Sequence, residues 1–377
     1  MNIEFYLKTL VERGGSDLHL KVGRPPLMRI KGDLIPTEFP VVERHQMEQL
    51  IMPMMSEYQR KKLEKEKEMD FSYLLEGIAR FRGNIFFQLG EVGAVFRTIP
   101  LKVKTIDELG LPPVLKELIF HRQGLILVTG PTGSGKSTTL ASMIDLLNES
   151  VAKHIVSIED PIEFVHTDKK CTINQREVGY DTLSFTDAIK RALRQDPDVI
   201  LVGEMRDPET IRTALTASET GHLVLSTLHT NYARQSISRV IDAFPPEEQH
   251  HIRVRLATSL VAALAQKLIK KSDESGMAVV MEIMINTPTI KKSIAEEKLD
   301  QIDKLIHDSA ELYKMQTLNQ HLFKYIKEGV LTADDAFAIS NNPNDLKVML
   351  QTQSIYAKDL DNKAGFRTQR PDWMKSR

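Results

Sequence analysis

The residues with the clearest chemistry are Gly130-Pro131-Thr132-Gly133-Ser134-Gly135-Lys136-Ser137, which fit the spacing G-x-x-x-x-G-K-[ST]. Glycines in such a loop let backbone N–H groups turn inward around a phosphate, where a Cβ would intrude. Lys136 is long enough to reach the β- and γ-phosphates of a nucleotide, and the Ser137 hydroxyl is placed to ligate Mg²⁺. Thr132, Gly133, Ser134, Gly135, Lys136, Ser137 and Thr138 form the expected nucleotide-binding set, with ATP and Mg²⁺ as the expected ligands. An apolar run, GLILVTG, precedes the loop and a helical pattern follows it, so a helix N-terminus adds positive potential.

Hydrolysis at such a loop also needs an acid for the metal and a group that activates or positions water. DVILVGEMRD (198–207) supplies the first, with Glu204 just past the C-terminal end of the apolar strand Val199–Val202. Open α/β sheets collect their ligands at that edge. Gly203 stands where an aspartate is usual, so Glu204 is expected to act through a metal-bound water. SIEDPIEF (157–164) supplies the second, with Glu159, Asp160 and Glu163 after the strand HIVSI and Pro161 fixing the turn. One such carboxylate alone is commonly a solvated surface group. Two acidic clusters at successive strand ends behind a phosphate loop favour a site.

Two histidines and three arginines are further candidates. His222 and His229 bracket the strand LVLSTL; their separation of seven puts them on opposite faces, so a shared metal is not expected. A histidine beside a strand is often a satisfied core residue, and His229, at the C-terminal end, is the better candidate for sensing a γ-phosphate. Arg80, Arg82 and Arg97 lie on two β-like runs, with Arg80 and Arg82 on one face by alternation. They either make ordinary surface pairs or meet the γ-phosphate of a neighbouring subunit as arginine fingers.

The elements that must position these groups fall into two blocks. Residues 1–100 read as a small α/β domain: a helix bearing Ile3, Leu7, Leu10 and Val11, a second helical run over 44–67, and β-like runs at Phe71–Leu75, Ala79–Gln88 and Ala94–Ile99. The prolines of Pro100–Pro113 place a linker at 101–117. From 118 to 360 apolar strands alternate with helical segments, the pattern of a mainly parallel sheet covered by helices. Within it, 254–360 is expected to be mostly helical, with Leu256, Leu260, Leu264 and Leu268 at four-residue spacing. The basic tail, 361–377, is expected to be disordered.

Composition excludes several classes. Lys+Arg 50 against Asp+Glu 51 gives a net charge of -1, so nucleic acid is not an expected partner. The single cysteine, Cys171, rules out an internal disulfide and a zinc site built on several thiolates, as suits a reducing cytoplasm. The N-terminus has no signal-peptide pattern. No stretch approaches the ~18 apolar residues of a membrane span, so direct membrane insertion is not expected.

Taken together, GGSDLHL (14–20), RFRGNIFFQ (80–88), AVFRTIP (94–100), IEDPIEFVH (158–166), INQREVG (173–179), ALRQDPDVILVGEMRD (192–207) and ETGHLVLSTLHT (219–230) resemble the secretion-type ATPases. Within them the chain looks like the PilT/PilU-type motors that retract type IV pili. The resemblance implies a PAS-like N-terminal domain, a RecA-like P-loop ATPase domain with a helical C-terminal region, and a cytoplasmic homohexameric ring with ATP between subunits. It also implies Glu163 as the catalytic carboxylate, Glu204 as the atypical Walker B acid, His222 and His229 as the His-box pair, and Arg82 and Arg97 as candidate fingers. An inner-membrane pilus platform protein is the implied partner, holding the ring at the inner membrane, with a paralogous pilus ATPase as a second. Related motors of a secretion or DNA-uptake pseudopilus are the alternative, as is an accessory PilU-like role. Retraction motors often carry A-I-R-N-L-I-R-E where this chain has Thr289-Ile290-Lys291-Lys292-Ser293-Ile294-Ala295-Glu296.

Overall fold

A computed structural model of the chain describes residues 2–30, 32–99 and 103–352. The tail expected to be disordered, 361–377, lies outside the described residues. The chain divides into two compact units, one holding Met1–Val103 with Glu163–Thr167, the other Lys104–Ile162 and the chain from Asp168 onward.

In the first unit, helix α1 (Ile3–Glu12) starts because the Asn2 side chain accepts the Phe5 N–H at 3.0 Å. It buries Ile3, Tyr6, Leu7 and Leu10 and stops before Gly14, whose φ of 65° a side chain would resist. Strands β1 (Gly15–Lys21), β2 (Leu27–Ile30) and β3 (Asp33–Pro36) follow, none of them expected from the sequence. The helical run expected over 44–67 is two helices, α2 (Arg44–Ile51) and α3 (Glu57–Glu66), separated at Met52–Met54 around Pro53. Then come β4 (Glu68–Leu75), β5 (Ala79–Gln88) and β6 (Glu91–Ile99), and the six strands pair antiparallel in the order β3-β2-β1-β6-β5-β4. One sheet face carries Leu18, Phe81, Ile85 and Phe96 against the apolar sides of the helices. Strand alternation sends Arg82, Asn84 and Arg97 to the other face.

The second unit opens at Lys104, and the stretch expected as a linker contributes to its core. Ile106, Leu111, Val114 and Leu115 are buried against the sheet, with a short helix α4 (Leu115–Leu118). Seven strands follow: β7 (Gly124–Thr129), β8 (His154–Glu159), β9 (Thr172–Glu177), β10 (Val199–Val202), β11 (Leu223–Leu228), β12 (Leu260–Lys270) and β13 (Met277–Ile285). Their order is β13-β12-β7-β11-β10-β8-β9, parallel throughout except β13 at one edge. β7, β10 and β11 are buried at every position because helices cover both faces, which is why they read as mainly apolar runs, interrupted in β11 by Ser226 and Thr227. Helix α5 (Lys136–Ser150) lies on one face; α6 (Phe185–Ala192), α7 (Pro208–Glu219), α8 (Ala233–Asp242) and α9 (Pro246–Ser259) lie on the other.

The expectation of a mostly helical region from 254 is corrected by β12 and β13. Leu260, Leu264 and Leu268 lie on a strand. Spacing by four puts residues on one side of a helix and on one face of a strand alike, so it could not discriminate. Short helices occupy Pro288–Ile339 beyond β13. Among the described residues, no helix is long and apolar enough to cross a membrane.

Candidate nucleotide site

The parallel strands all deliver their C-terminal ends to one edge of the second sheet. β7 and β11 run in register, Leu223 opposite Gly124 and Leu228 opposite Thr129, so Gly130 and His229 leave the sheet side by side. The phosphate loop follows β7 and closes into α5, whose first turn carries no acidic residue to oppose its N-terminal potential. Lys136 Nζ folds back over the loop, donating to the carbonyls of Gly130 at 3.0 Å and Pro131 at 3.2 Å. Gly130, at φ 146°, is obligatory: an added Cβ would lie 2.3 Å from Gln266 O and 2.5 Å from Ser134 Oγ.

Gln266 on β12 is a functional residue the sequence reading missed. Its side chain, 1% exposed, donates from Nε2 to Ser134 O at 2.6 Å and accepts from Thr139 Oγ1 at 2.9 Å. It therefore ties the phosphate loop to the first turn of α5. A glutamine in the apolar run LVAALAQKLI was the available signal. Ser134 Oγ, in a residue only 2% exposed, has no hydrogen-bond partner, which leaves a hydroxyl available to a ligand oxygen.

Glu204 follows β10. An added Cβ at Gly203 would lie 3.2 Å from Ile158 O in the β8 backbone, so a side chain there would need that strand to give slightly. Glu204 Oε1 lies 3.2 Å from His229 Nε2 and Oε2 lies 2.8 Å from Arg206 Nε, so the two expected residues are joined. Behind them Asp207 caps α7, accepting from the Thr210 N–H at 2.9 Å and the Thr210 hydroxyl at 2.6 Å. Burial acts to raise the Asp207 pKa, but these hydrogen bonds overcome it and hold the carboxyl low.

The other expected residues lie elsewhere. His222 sits at the N-terminal end of β11, away from the phosphate-loop edge, with Nδ1 3.0 Å from Ala217 O. Glu163 is exposed and belongs to the segment Glu163–Thr167, which clusters with the first unit. Arg82 and Arg97 are on the outer face of the first sheet.

Beside the loop, within the second unit, a cavity of about 820 Å³ is lined by Gly135, Thr138 and Thr139, by Leu109–Pro113 and by Tyr325. Its size suits a small-molecule ligand. His321 in its wall is pushed down to about 4 by burial, so it stays neutral and its Nδ1 accepts the Met281 N–H at 3.0 Å. Among the described residues no cluster of three or more His, Cys, Asp or Glu forms a metal cage.

Residues 87–338 match the family described as "Type II/IV secretion system protein". The chain is 50% identical over 336 residues to the type IV pilus retraction ATPase PilT of Pseudomonas aeruginosa, covering 89% of this chain and 97% of that protein. It is 40% identical over 354 residues to the type IV pilus ATPase PilU of the same organism, covering 94% and 92%. Among solved structures, the pilus retraction motor PilT with bound ADP superposes with a TM-score of 0.87 at 45% identity, covering 92% of this chain and 99% of that one. A phosphate loop at the edge of this sheet and likeness along almost the whole length lead to one conclusion: the chain belongs to the type II/IV secretion system protein family.

Proposed function

We propose that this chain is an ATP-hydrolysing motor that drives retraction of type IV pili, working as a homohexameric ring. The observation that carries the reading is the 50% identity to a pilus retraction ATPase, extending over 97% of that protein. The lower identity, 40%, to PilU favours the PilT-like role over the accessory one. A related secretion or DNA-uptake pseudopilus motor is the second reading, favoured only by the breadth of the family match.

In this reading Lys136 and the loop N–H groups hold the β- and γ-phosphates, and the base and ribose enter the cavity beside Thr138 and Thr139. Mg²⁺, when bound through Ser137 and Glu204, neutralises charge on the phosphate oxygens. Glu163 takes a proton from the attacking water as its oxygen bonds to Pγ and the bond from Pγ to the bridging β–γ oxygen breaks. His229 reports γ-phosphate occupancy through Glu204. Arg82 and Arg97 reach the γ-phosphate bound by a neighbouring copy and counter the charge that spreads there. The ring works in the cytoplasm against a platform protein of the inner membrane, with a paralogous pilus ATPase as a further partner. The test is genetic: deleting the gene should leave surface pili that extend and never withdraw, with twitching lost and a Lys136→Ala copy unable to restore it. Normal withdrawal in the deletion strain would refute the reading.

A further inference from the structure

The outer face of the first sheet carries a line of charge that alternation along single strands does not reveal. Arg29 on β2 stands opposite Asp17 on β1, Asp17 opposite Arg97 on β6, and Arg97 opposite Arg82 on β5. Three guanidiniums and one carboxylate thus form one row across four strands. Like charges directly opposite one another, as at Arg82 and Arg97, destabilise a sheet. Arg82 leans toward Asp70, with Nε 3.8 Å from Oδ1, and Asp17 meets the other two arginines.

The geometry at Asp17 is asymmetric. Its side chain is 6% exposed, and Oδ1 accepts from Arg97 Nε at 2.8 Å. Oδ2 accepts from Ser16 Oγ at 2.7 Å and lies 3.6 Å from Arg29 Nε. The Arg97 side chain is 70% exposed and is held at Nε, behind the fork of its two terminal nitrogens. The pairing is single and uses Nε, unlike the bidentate fork-to-carboxylate arrangement that would engage both terminal nitrogens. Here the acid is sunk at the root and the fork is turned outward. Burial acts to raise the Asp17 pKa, and the hydrogen bonds from Ser16 and Arg97 with the Arg97 charge overcome it, so the carboxyl is held below its ordinary value.

We propose that Asp17 is a positioning residue for hydrolysis: it anchors Arg97 at Nε so that the terminal nitrogens stand ready for the γ-phosphate of a neighbouring subunit. An unanchored arginine must lose its side-chain freedom as it engages, whereas donors fixed beforehand stabilise transition-state charge without reorganising. The inference rests on the proposed role of Arg97 in trans and adds to it the group that sets the finger's posture.

The test uses the full chain as assembled rings, with steady-state ATP hydrolysis as readout. Asp17→Asn should lower kcat about tenfold or more while KM for ATP changes less than about threefold, because ground-state binding belongs to the phosphate loop. Asp17→Asn added to Arg97→Ala should slow it no further, the mark of residues acting as one unit. Asp17→Asn chains mixed with Lys136→Ala chains should regain turnover, and mixed with Arg97→Ala chains they should not. Arg97→Lys guards against a folding artefact: it keeps the charge but cannot be anchored at Nε while reaching outward, and should be as slow as Arg97→Ala in intact rings. If Asp17→Asn turns over within twofold of the parent, or its effect multiplies with that of Arg97→Ala, the positioning role is wrong while the finger reading stands. If Arg97→Ala itself leaves kcat unchanged, the finger reading falls and the positioning role falls with it.

Discussion

The two sheets of this molecule gather their chemistry in opposite ways. The seven-stranded parallel sheet collects groups at one edge, where β7, β10 and β11 end in the phosphate loop, Glu204 and His229. The six-stranded antiparallel sheet collects Arg29, Asp17, Arg97 and Arg82 in a row across its face. The same contrast appears in two buried carboxylates. Asp17, beside arginines, is held low, and Glu282, capping the N-terminus of α8 through the Ala233 N–H at 2.7 Å, is pushed up to about 7 by burial. At Asp17 the hydrogen bonds from Ser16 and Arg97 and the Arg97 charge outweigh burial, whereas at Glu282 burial outweighs the Ala233 and Leu318 N–H donors and the Lys267 charge.

The edge of the second sheet is broken most severely at Lys136. Lys136→Ala should remove ATP turnover, leaving less than about a tenth of the parent rate in a phosphate-release assay, because the loop loses its point charge on the β- and γ-phosphates. Glu163→Gln should still bind ATP, by fluorescent-nucleotide titration, and hydrolyse it at least about tenfold more slowly. If Glu204→Gln alone blocks turnover, the two carboxylates have exchanged roles. Gln266→Ala is a smaller lesion. It leaves Ser134 O and the Thr139 hydroxyl without their buried partner, at about 1–3 kcal/mol, and should weaken nucleotide binding about tenfold with a lowered Tm.

The smallest expected effect is a pH dependence with two opposed parts in the second unit. Glu282 has a folded pKa of about 7 against 4.5, so its stabilising contribution is complete below 4.5 and is lost as pH rises through about 7. His321 has a folded pKa of about 4 against 6.5, so its contribution is complete above 6.5 and is lost as pH falls through about 4. The two nearly offset each other between pH 4.5 and 6.5. Glu282→Gln should uncover the histidine, about 2 kcal/mol over that window, so that Tm falls by about 4–9 °C more than the parent's on acidification across it. An unchanged slope would show that Glu282 is ionised in the fold.

The sequence revealed these regions unequally, for physical reasons. The phosphate loop is contiguous and its glycines answer to local backbone geometry, so eight consecutive residues announce it. β7, β10 and β11 are buried on both faces and read as apolar runs. The Arg29–Asp17–Arg97–Arg82 row depends on which residue stands opposite which across four strands, and β1 and β2 were not expected at all. β3 is exposed at every position and offers no alternation to detect. β12 hid behind a four-residue leucine spacing that strands and helices share. Gln266 could be recognised as a strut only once β12 lay beside β7.

The central claim is that one catalytic site draws its phosphate loop from one chain and its arginine from another. Mixing Arg97→Ala chains with Lys136→Ala chains, each inactive alone, tests it directly. Mixed rings contain interfaces with an intact Lys136 on one side and an intact Arg97 on the other, and ATP turnover should rise above that of either parent as the two are titrated together. If mass measurement shows that mixed rings form and turnover stays at the level of the parents, Arg97 does not act across the interface, and the claim is wrong.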